Sequence, residues 1–286
     1  MLRLLPLLLL ALAPSLPAQP NLVKNGDFQT SALVPWVQTG SGYNPKVEQF
    51  DVTGLGATYC FGVQVDKTHV VLTQKVPVTP GIPFLFEADL AGDHPYSHTN
   101  GDGGRWEIFV AGTKIDSGSF GSLTGFQTKR VHVCRTFLPT KGGQVDLEIH
   151  IYRNYNTSGV RNYVDNVRLS LITYPALCIR EERKIGTTVT LQAEGTPMAA
   201  WLALVAPISH PTGIYFPGVS GSLRLVPAPL LVLTAGTLGN AGTDQKKLPL
   251  PADTALVGVS LFFQGVQADK TSALSLGSLH HYPLVK

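Results

Sequence analysis

The sequence predicts an all-β protein in which a jelly-roll β-sandwich is followed by a second, smaller β-sandwich. Three observations predict this class. Charged residues make up only 14% of the chain, whereas it contains 29 glycines and 21 prolines, a balance that favours strands joined by turns. Several segments alternate apolar and polar residues with a period of two, as strands with one buried face do. Turn signals recur between these segments, and no helical pattern intervenes.

Seven strands are predicted in the first half of the chain. The clearest reads QVDLEIHIY, so its valine, leucine and isoleucines share one face while Asp146, Glu148 and His150 share the other. The same alternation places Glu87 and Asp89 together on what we interpret as a solvated face. The strands are predicted at 58–65, 70–78, 84–90, 105–111, 129–137, 144–152 and 163–171.

The composition of the sequence changes near residues 173–177, where we predict a domain boundary between 19–172 and 178–286. A dense charge cluster, REERK at 180–184, follows the boundary. Proline-rich joints separate the later segments, and because proline cannot donate to a β-ladder, these joints mark strand starts or edges. The later strands are predicted at 187–193, 201–205, 223–226, 230–233 and 256–263.

Residues 1–18 have the layout of a secretory signal peptide, with Arg3, an apolar run over 4–12, and small or proline residues up to Ala18. The run is shorter than the about 20 residues that span a bilayer. We therefore predict a secreted protein, extracellular or at the cell surface, with a retained N-terminal anchor as the alternative. The 22 basic and 19 acidic residues provide no electrostatic case for binding nucleic acid.

Three cysteines, Cys60, Cys134 and Cys178, stand at no metal-ligand or redox spacing. In an oxidising compartment we predict a disulfide between Cys60 and Cys134, which would leave Cys178 free. The alternative left open is that all three are buried thiols.

Three motifs in the first half carry a resemblance to a known family. Residues 21–29 read NLVKNGDFQ and are followed by Trp36, a Pro-Gly turn at 80–81 joins two apolar strands, and 163–169 reads YVDNVRL. Together they resemble the carbohydrate-binding modules of families four, nine and twenty-two, over roughly half of the chain. The resemblance implies a galactose-binding-like jelly roll whose first and last strands lie side by side.

The resemblance also implies a structural calcium ion that ties the first strand to the last. Asp165 stands where the family places the aspartate of its closing strand, and Gln29 stands where a glutamate is usual. An amide oxygen can coordinate calcium but carries no charge, so this departure weakens the site, and Asp27 is the residue expected to compensate.

Sugar recognition requires aromatic rings that stack on the C–H faces of a sugar, beside polar groups that bind its hydroxyls. Two segments supply such groups, a loop over 93–106 and the end of the strand at 144–152. The residues predicted to bind a polysaccharide or cell-surface glycan are Tyr96, Trp106, Tyr152, Arg153, Asn154 and Tyr155. The alternative interpretation is of solvated loops with half-buried core aromatics.

No catalytic motif is present, because the chain lacks a nucleophile elbow, a metalloprotease helix and a phosphate-binding loop. The scattered histidines, which include His69, His132, His150 and His280, are interpreted as surface residues. We therefore predict a non-catalytic carbohydrate-binding protein. The alternatives are a structural or adhesive surface protein that binds another protein and, less favoured, a glycan hydrolase.

The second half carries two weaker motifs, LPLPA at 248–252 and ALVGVSLFFQ at 255–264. They loosely resemble a C-terminal module of secreted bacterial proteins. That resemblance implies no activity, and a protein partner for this half is the expectation.

Overall fold

The computed structural model describes residues 20–41, 43–64, 69–96, 101–153, 159–179, 184–227 and 229–284. The predicted signal peptide lies outside these residues. Within them the chain forms strands and one 3-10 turn, Thr254–Leu256, so the predicted all-β class is confirmed. Among the same residues, no helix has the length and apolarity needed to span a bilayer.

The first half forms two five-stranded antiparallel sheets. Its strands are β1 Val37–Gly40, β2 Tyr43–Phe50, β3 Thr58–Gln64, β4 His69–Val78, β5 Phe84–His94, β6 Gly101–Asp102, β7 Arg105–Val110, β8 Thr113–Ser119, β9 Ser122–Leu123, β10 Gln127–Phe137, β11 Gly143–Tyr152 and β12 Arg161–Leu171. The first sheet has the order β1-β4-β11-β7-β8, and the second sheet has the order β10-β5-β12-β3-β2. The short strands β6 and β9 pair with each other.

Alternation along each strand builds the core between the two sheets. On β11, Leu147, Ile149 and Ile151 are buried, whereas Glu148 and His150 lie half-buried on the opposite face. Phe61 and Phe86 of the second sheet meet these side chains in one hydrophobic cluster. Burial of each side chain of this size contributes about 1.5–3 kcal/mol.

The opening segment lies beside the last strand of the first half, as the sequence motifs predict. The N–H of Leu22 donates to the carbonyl of Leu169 at 2.8 Å, and the N–H of Val167 donates to the carbonyl of Gly26 at 2.8 Å. The Asn21 side chain adds a bond from Nδ2 to the carbonyl of Val167 at 3.1 Å. The two ends therefore lie side by side as predicted, although residues 21–29 form turns rather than the predicted first strand.

The second half builds its own sheets and its own core. Its strands are β13 Ala176–Ile179, β14 Thr188–Glu194, β15 Ala200–Ala206, β16 Ser209–Ile214, β17 Val219–Ser220, β18 Leu223–Leu225, β19 Leu231–Thr237, β20 Thr243–Pro249, β21 Ser260–Ala268 and β22 Leu274–Pro283. A three-stranded sheet, β13-β14-β20, and a five-stranded sheet, β17-β22-β21-β15-β19, enclose a cluster around Trp201 and Tyr282. Strands β16 and β18 form a separate pair.

The disulfide joins the two halves, because Cys134 of β10 is bonded to Cys178 of β13 with a Cα–Cα distance of 5.7 Å. The predicted Cys60–Cys134 bridge is wrong. Cys60 lies on β3, which two strands separate from β10 in the second sheet. With strands about 4.8 Å apart, that separation exceeds the about 7 Å that a disulfide spans. Cys60 is a buried free thiol, and burial raises its pKa to about 12.

Strands with weak alternation were not predicted from the sequence. β8 is mostly polar and exposed, so it shows no apolar period, and the alternation of leucines at the start of β22 breaks at Gly277 and Ser278. The strand predicted at 256–263 begins instead at Ser260, because Asp253 caps the preceding 3-10 turn by accepting a hydrogen bond from the N–H of Ala255 at 2.9 Å.

Candidate functional site

One end of the first sandwich gathers most of the residues predicted to bind sugar. Strands β4 and β7 begin there, β5 and β11 end there, and β12 begins there with Arg161 paired to Asp93. We call this region the loop end. Antiparallel pairing brings these strand ends together, although the residues are far apart in the sequence.

A row of three side chains crosses the first sheet at the loop end. The register pairs Tyr152 with His69 on one side and with Arg105 on the other. The His69 ring lies nearly parallel to the Tyr152 ring with centroids 4.2 Å apart, and the Arg105 guanidinium carbon lies 5.0 Å from the Tyr152 centroid. Because both neighbours pack against Tyr152, its ring faces are covered, and Tyr152 holds the row together rather than offering a free stacking surface.

Hydrogen bonds link Tyr152 of this row to Glu107 of β7 and, through it, to Lys114 of β8. The Tyr152 hydroxyl donates to Glu107 Oε2 at 2.9 Å, and Lys114 Nζ donates to Glu107 Oε1 at 3.1 Å. Burial and the bond to Glu107 raise the pKa of Tyr152 to about 12, so its hydroxyl stays protonated. Burial opposes the charge of Glu107, but the bonds from Lys114 and Tyr152 outweigh burial and lower the pKa of that carboxyl.

His150 links the row to a second carboxylate. Its Nε2 lies 2.6 Å from Glu148 Oε2, and its Nδ1 lies 3.1 Å from Nε2 of His69. An Nε2–H that donates to Glu148 leaves Nδ1 of His150 as the acceptor for the Nε2–H of His69. Burial and repulsion by His150 lower the pKa of His69, which favours the neutral form of the His69 ring.

Two exposed aromatic residues lie at the loop end on the side of the second sheet, where β5 ends and β10 begins. Tyr96 is 48% exposed and Phe126 is 74% exposed. Their backbones are joined by a hydrogen bond from the N–H of Phe126 to the carbonyl of Tyr96 at 3.2 Å. One side of the Tyr96 ring packs on Gly159, where any side chain would clash with it. These rings are the exposed apolar surfaces that could stack on a sugar.

Two of the residues predicted to bind sugar are structural instead. Trp106 is only 4% exposed and belongs to the core, because it alternates with Arg105 and Glu107 and therefore faces inward. Arg153 is buried, and its guanidinium donates to the carbonyl of Val160 at 3.0 Å and to Asn162 Oδ1 at 2.9 Å. Their assignment to the sugar site is corrected here, whereas Asn154 and Tyr155 lie outside the described residues.

His69, Arg105 and Phe126 were missed by sequence reasoning. For His69 and Arg105 the available signal was their position at strand starts on the outer face of the first sheet. Strand pairing, which sequence alone did not reveal, decides that both meet Tyr152. Phe126 precedes the predicted strand at 129–137, so an isolated aromatic residue in a turn was its only signal.

The residues predicted to bind calcium lie where the opening segment meets the second sheet. The Gln29 side-chain nitrogen donates to the carbonyls of Asp27 at 2.8 Å and Tyr59 at 3.2 Å. Asp165 accepts a bond from Thr58 at 2.8 Å and another from the backbone N–H of Asn166 at 2.7 Å. Burial raises the pKa of Asp165 to about 7 against these two bonds, and repulsion by Asp89 and Asp27 adds to the rise.

No protein-family model and no curated protein matches the chain. Solved structures do match, at low identity. A carbohydrate-binding module, TmCBM61 in complex with β-1,4-galactotriose, matches with 17% identity and a TM-score of 0.38, over 53% of this chain and 99% of its own. The CBM22-1 xylan-binding domain of Xyn10C from Paenibacillus barcinonensis matches with 10% identity and a TM-score of 0.33, over 55% of this chain and 97% of its own.

A longer match reaches into the second half of the chain. The adhesin domain of Epf from Streptococcus pyogenes matches with 11% identity and a TM-score of 0.34, over 94% of this chain and 98% of its own. All three TM-scores lie below 0.5, so the functional proposals rest on the side chains of this chain.

Proposed function

We propose that this chain is a secreted, non-catalytic carbohydrate-binding protein whose glycan site is the loop end of the first sandwich. The observation that carries the proposal is the pair of exposed rings, Tyr96 and Phe126, at the same end as the ordered row of Arg105, Tyr152 and His69. An exposed ring face with fixed polar groups nearby is what sugar recognition needs.

Each side chain has a distinct part in this proposal. Tyr96 and Phe126 stack on the apolar C–H faces of sugar units, and the Arg105 guanidinium donates to hydroxyl oxygens. Tyr152 and His69 hold Arg105 in place and contact no sugar ring face. Contacts of this kind contribute about 0.5–1.5 kcal/mol each, so weak affinity with avidity from multivalency is the expected mode.

Affinity electrophoresis against a panel of soluble polysaccharides tests the proposal. At least one polysaccharide should retard the protein, and Tyr96→Ala combined with Phe126→Ala should weaken that binding by about tenfold or more, since two stacking contacts are lost. Phe216→Ala is the matched control, because Phe216 is an exposed aromatic residue of the second half, away from the loop end. Retardation by no polysaccharide, or an equal effect of the control, would remove the proposal.

The absence of catalysis is part of the same proposal. A glycosidase needs a carboxylic acid with a raised pKa that protonates the leaving group. Glu107, the carboxyl that is hydrogen-bonded to Tyr152 of the row, has a lowered pKa and is ionised. We therefore expect no release of reducing ends from any polysaccharide that the protein binds, and release that Glu107→Gln abolishes would establish the hydrolase alternative instead.

A calcium ion held by Asp27, Gln29 and Asp165 is a further part of the proposal. Its support is electrostatic, because the charge of Asp27 already contributes to the raised pKa of Asp165, and a cation would relieve that repulsion.

A protein partner for the second half stays a prediction. Its edge strand β19 exposes Leu231 and Val232, as a surface that receives an added strand would.

A further inference from the structure

Three ionisable side chains from both halves of the chain meet where β22 packs against the outer face of the second sheet. Glu87 of β5 lies 3.0 Å from His280, measured from Oε1 to Nδ1, and 3.7 Å from His132, measured from Oε1 to Nε2. His132 lies on β10, beside β5. All three ligand atoms lie within 4.8 Å of one another.

These separations suit a four-coordinate metal ion. Zinc binds histidine nitrogen and carboxylate oxygen at about 2.0–2.2 Å, so neighbouring ligand atoms of a tetrahedral site lie about 3.3 Å apart. The two measured separations bracket that value. Two histidines and one glutamate form one of the ligand sets that zinc uses with a fourth position left to water.

A second carboxylate orients one of the two histidines. His132 Nδ1 lies 2.8 Å from Asp89 Oδ1. An Nδ1–H that donates to Asp89 places the lone pair of His132 on Nε2, the nitrogen that faces Glu87. Glu87 and Asp89 together carry two negative charges, which balance the charge of a divalent cation.

His280 provides an independent observation that points to a ligand. It is only 2% exposed, yet neither of its ring nitrogens makes a hydrogen bond of acceptable geometry, although Nδ1 approaches Glu87. A buried polar group without a hydrogen bond costs about 1–3 kcal/mol. A metal ion bound to Nδ1 would satisfy that nitrogen.

The cluster has an entry path. Glu87, Asp89 and His132 line a cleft of about 730 Å³ between the two halves, which Tyr215 and Arg224 also line. Cys134 Sγ belongs to the same cluster, but it is bonded to Cys178, and sulfur binds zinc as a free thiolate. The cleft therefore leaves room for water as a further ligand.

We propose that Glu87, His132 and His280 bind one divalent transition-metal ion, with zinc as the best match, and that this ion clamps the second half of the chain to the first sandwich. Asp89 acts as a positioning residue through His132. The site is separate from the loop end, so the proposal does not depend on glycan binding.

Isothermal titration of the chelator-treated full chain with Zn²⁺, in buffer without reductant, tests this assignment. One equivalent should bind. His280→Gln should weaken the affinity at least tenfold. Asp89→Asn keeps all three ligands and should weaken the affinity about tenfold, because His132 loses the carboxylate that orients it. Zinc should also raise the Tm of the wild-type protein but not that of His280→Gln.

Two control variants separate this cluster from the other histidines. His281→Gln removes the exposed neighbour of His280, and His69→Gln breaks the other close histidine pair. Both should bind zinc as the wild type does. Substoichiometric zinc in the wild type, or equal affinity in wild type and His280→Gln, would overturn the proposal. Because Asp89→Asn keeps every ligand, its affinity remains informative even where His280→Gln does not fold.

Discussion

The two outer faces of the first sandwich carry similar residues but have different surroundings. On the first sheet, Glu107 and Tyr152 form a network at the surface. On the second sheet, Glu87 and His132 follow the same alternation but are packed beneath β22 of the second half. The comparison teaches that alternation shows which side of a strand faces its own core, but not whether the other side faces water.

This difference explains where the sequence interpretation was wrong. His132 and His280 were interpreted as surface residues, and Glu87 with Asp89 as a solvated face, yet both histidines are buried. Burial opposes the charge of Glu87, but its contacts with His132 and His280 outweigh burial and hold its pKa well below the ordinary value. On the covered face the ionisation of a carboxyl therefore depends on its protein partners, whereas on the open face solvent also stabilises the charge.

The largest expected effect concerns Asp165, a carboxyl of the second sheet whose pKa burial raises from 3.8 to about 7. Between these pH values the folded state keeps a proton that the unfolded chain has released. The free energy of unfolding should therefore fall by on the order of 4 kcal/mol as pH rises through this window. Above the window this carboxyl should add no further pH dependence. Asp165→Asn should remove that slope.

Urea unfolding at several pH values, with and without calcium, measures this effect. The calcium ion proposed at Asp165 would compete with the proton, so the wild-type slope should shrink in calcium and return with chelator, while Asp165→Asn should respond to neither. Asp146→Asn, an exposed carboxyl of the first sheet, is the matched control and should keep the wild-type slope. Identical slopes for wild type and Asp165→Asn would contradict the raised pKa of this carboxyl.

A smaller effect is expected from the disulfide that holds the covering half in place. It closes a loop of 44 residues, so the double variant Cys134→Ser with Cys178→Ser should lose about 2–4 kcal/mol of unfolding free energy. Reductant should produce a similar loss in the wild type and none in the double variant. Unchanged stability on reduction of the wild type would contradict the role of this bond in the joint.

The smallest effect is expected at the open face, where burial and repulsion by His150 lower the pKa of His69. The folded state favours the neutral ring of His69. Its contribution to the stability of the folded state is therefore complete above the ordinary pKa of 6.5 and is lost as pH falls below that value. Loss of the stacking contact between His69 and Tyr152, which holds Arg105 in place, should weaken glycan affinity about twofold. Affinity electrophoresis at pH 5 and pH 8 should show this change in wild type but not in His69→Gln.

Much of the fold could be predicted from local sequence. The pairing of the two ends of the first sandwich was implied by the family resemblance of the motifs at 21–29 and 163–169. Alternation, by contrast, located β4, β11 and β12 within a few residues. These features are local because a side-chain period of two and a turn residue act over a few residues. Strands without that period, such as β8, left no comparable signal.

The candidate sites depended on tertiary structure. The sequence by itself determined that the chain is all-β, where its clearest strands lie, and that aromatic residues cluster near 93–106 and 152–155. Only strand pairing decided that Arg105 and His69 meet Tyr152. Only packing of the two halves decided that Cys134 bonds to Cys178 and that His280 meets Glu87. The physical reason is that these contacts join residues 44 to 193 positions apart, and no short-range pattern specifies which strand becomes a neighbour.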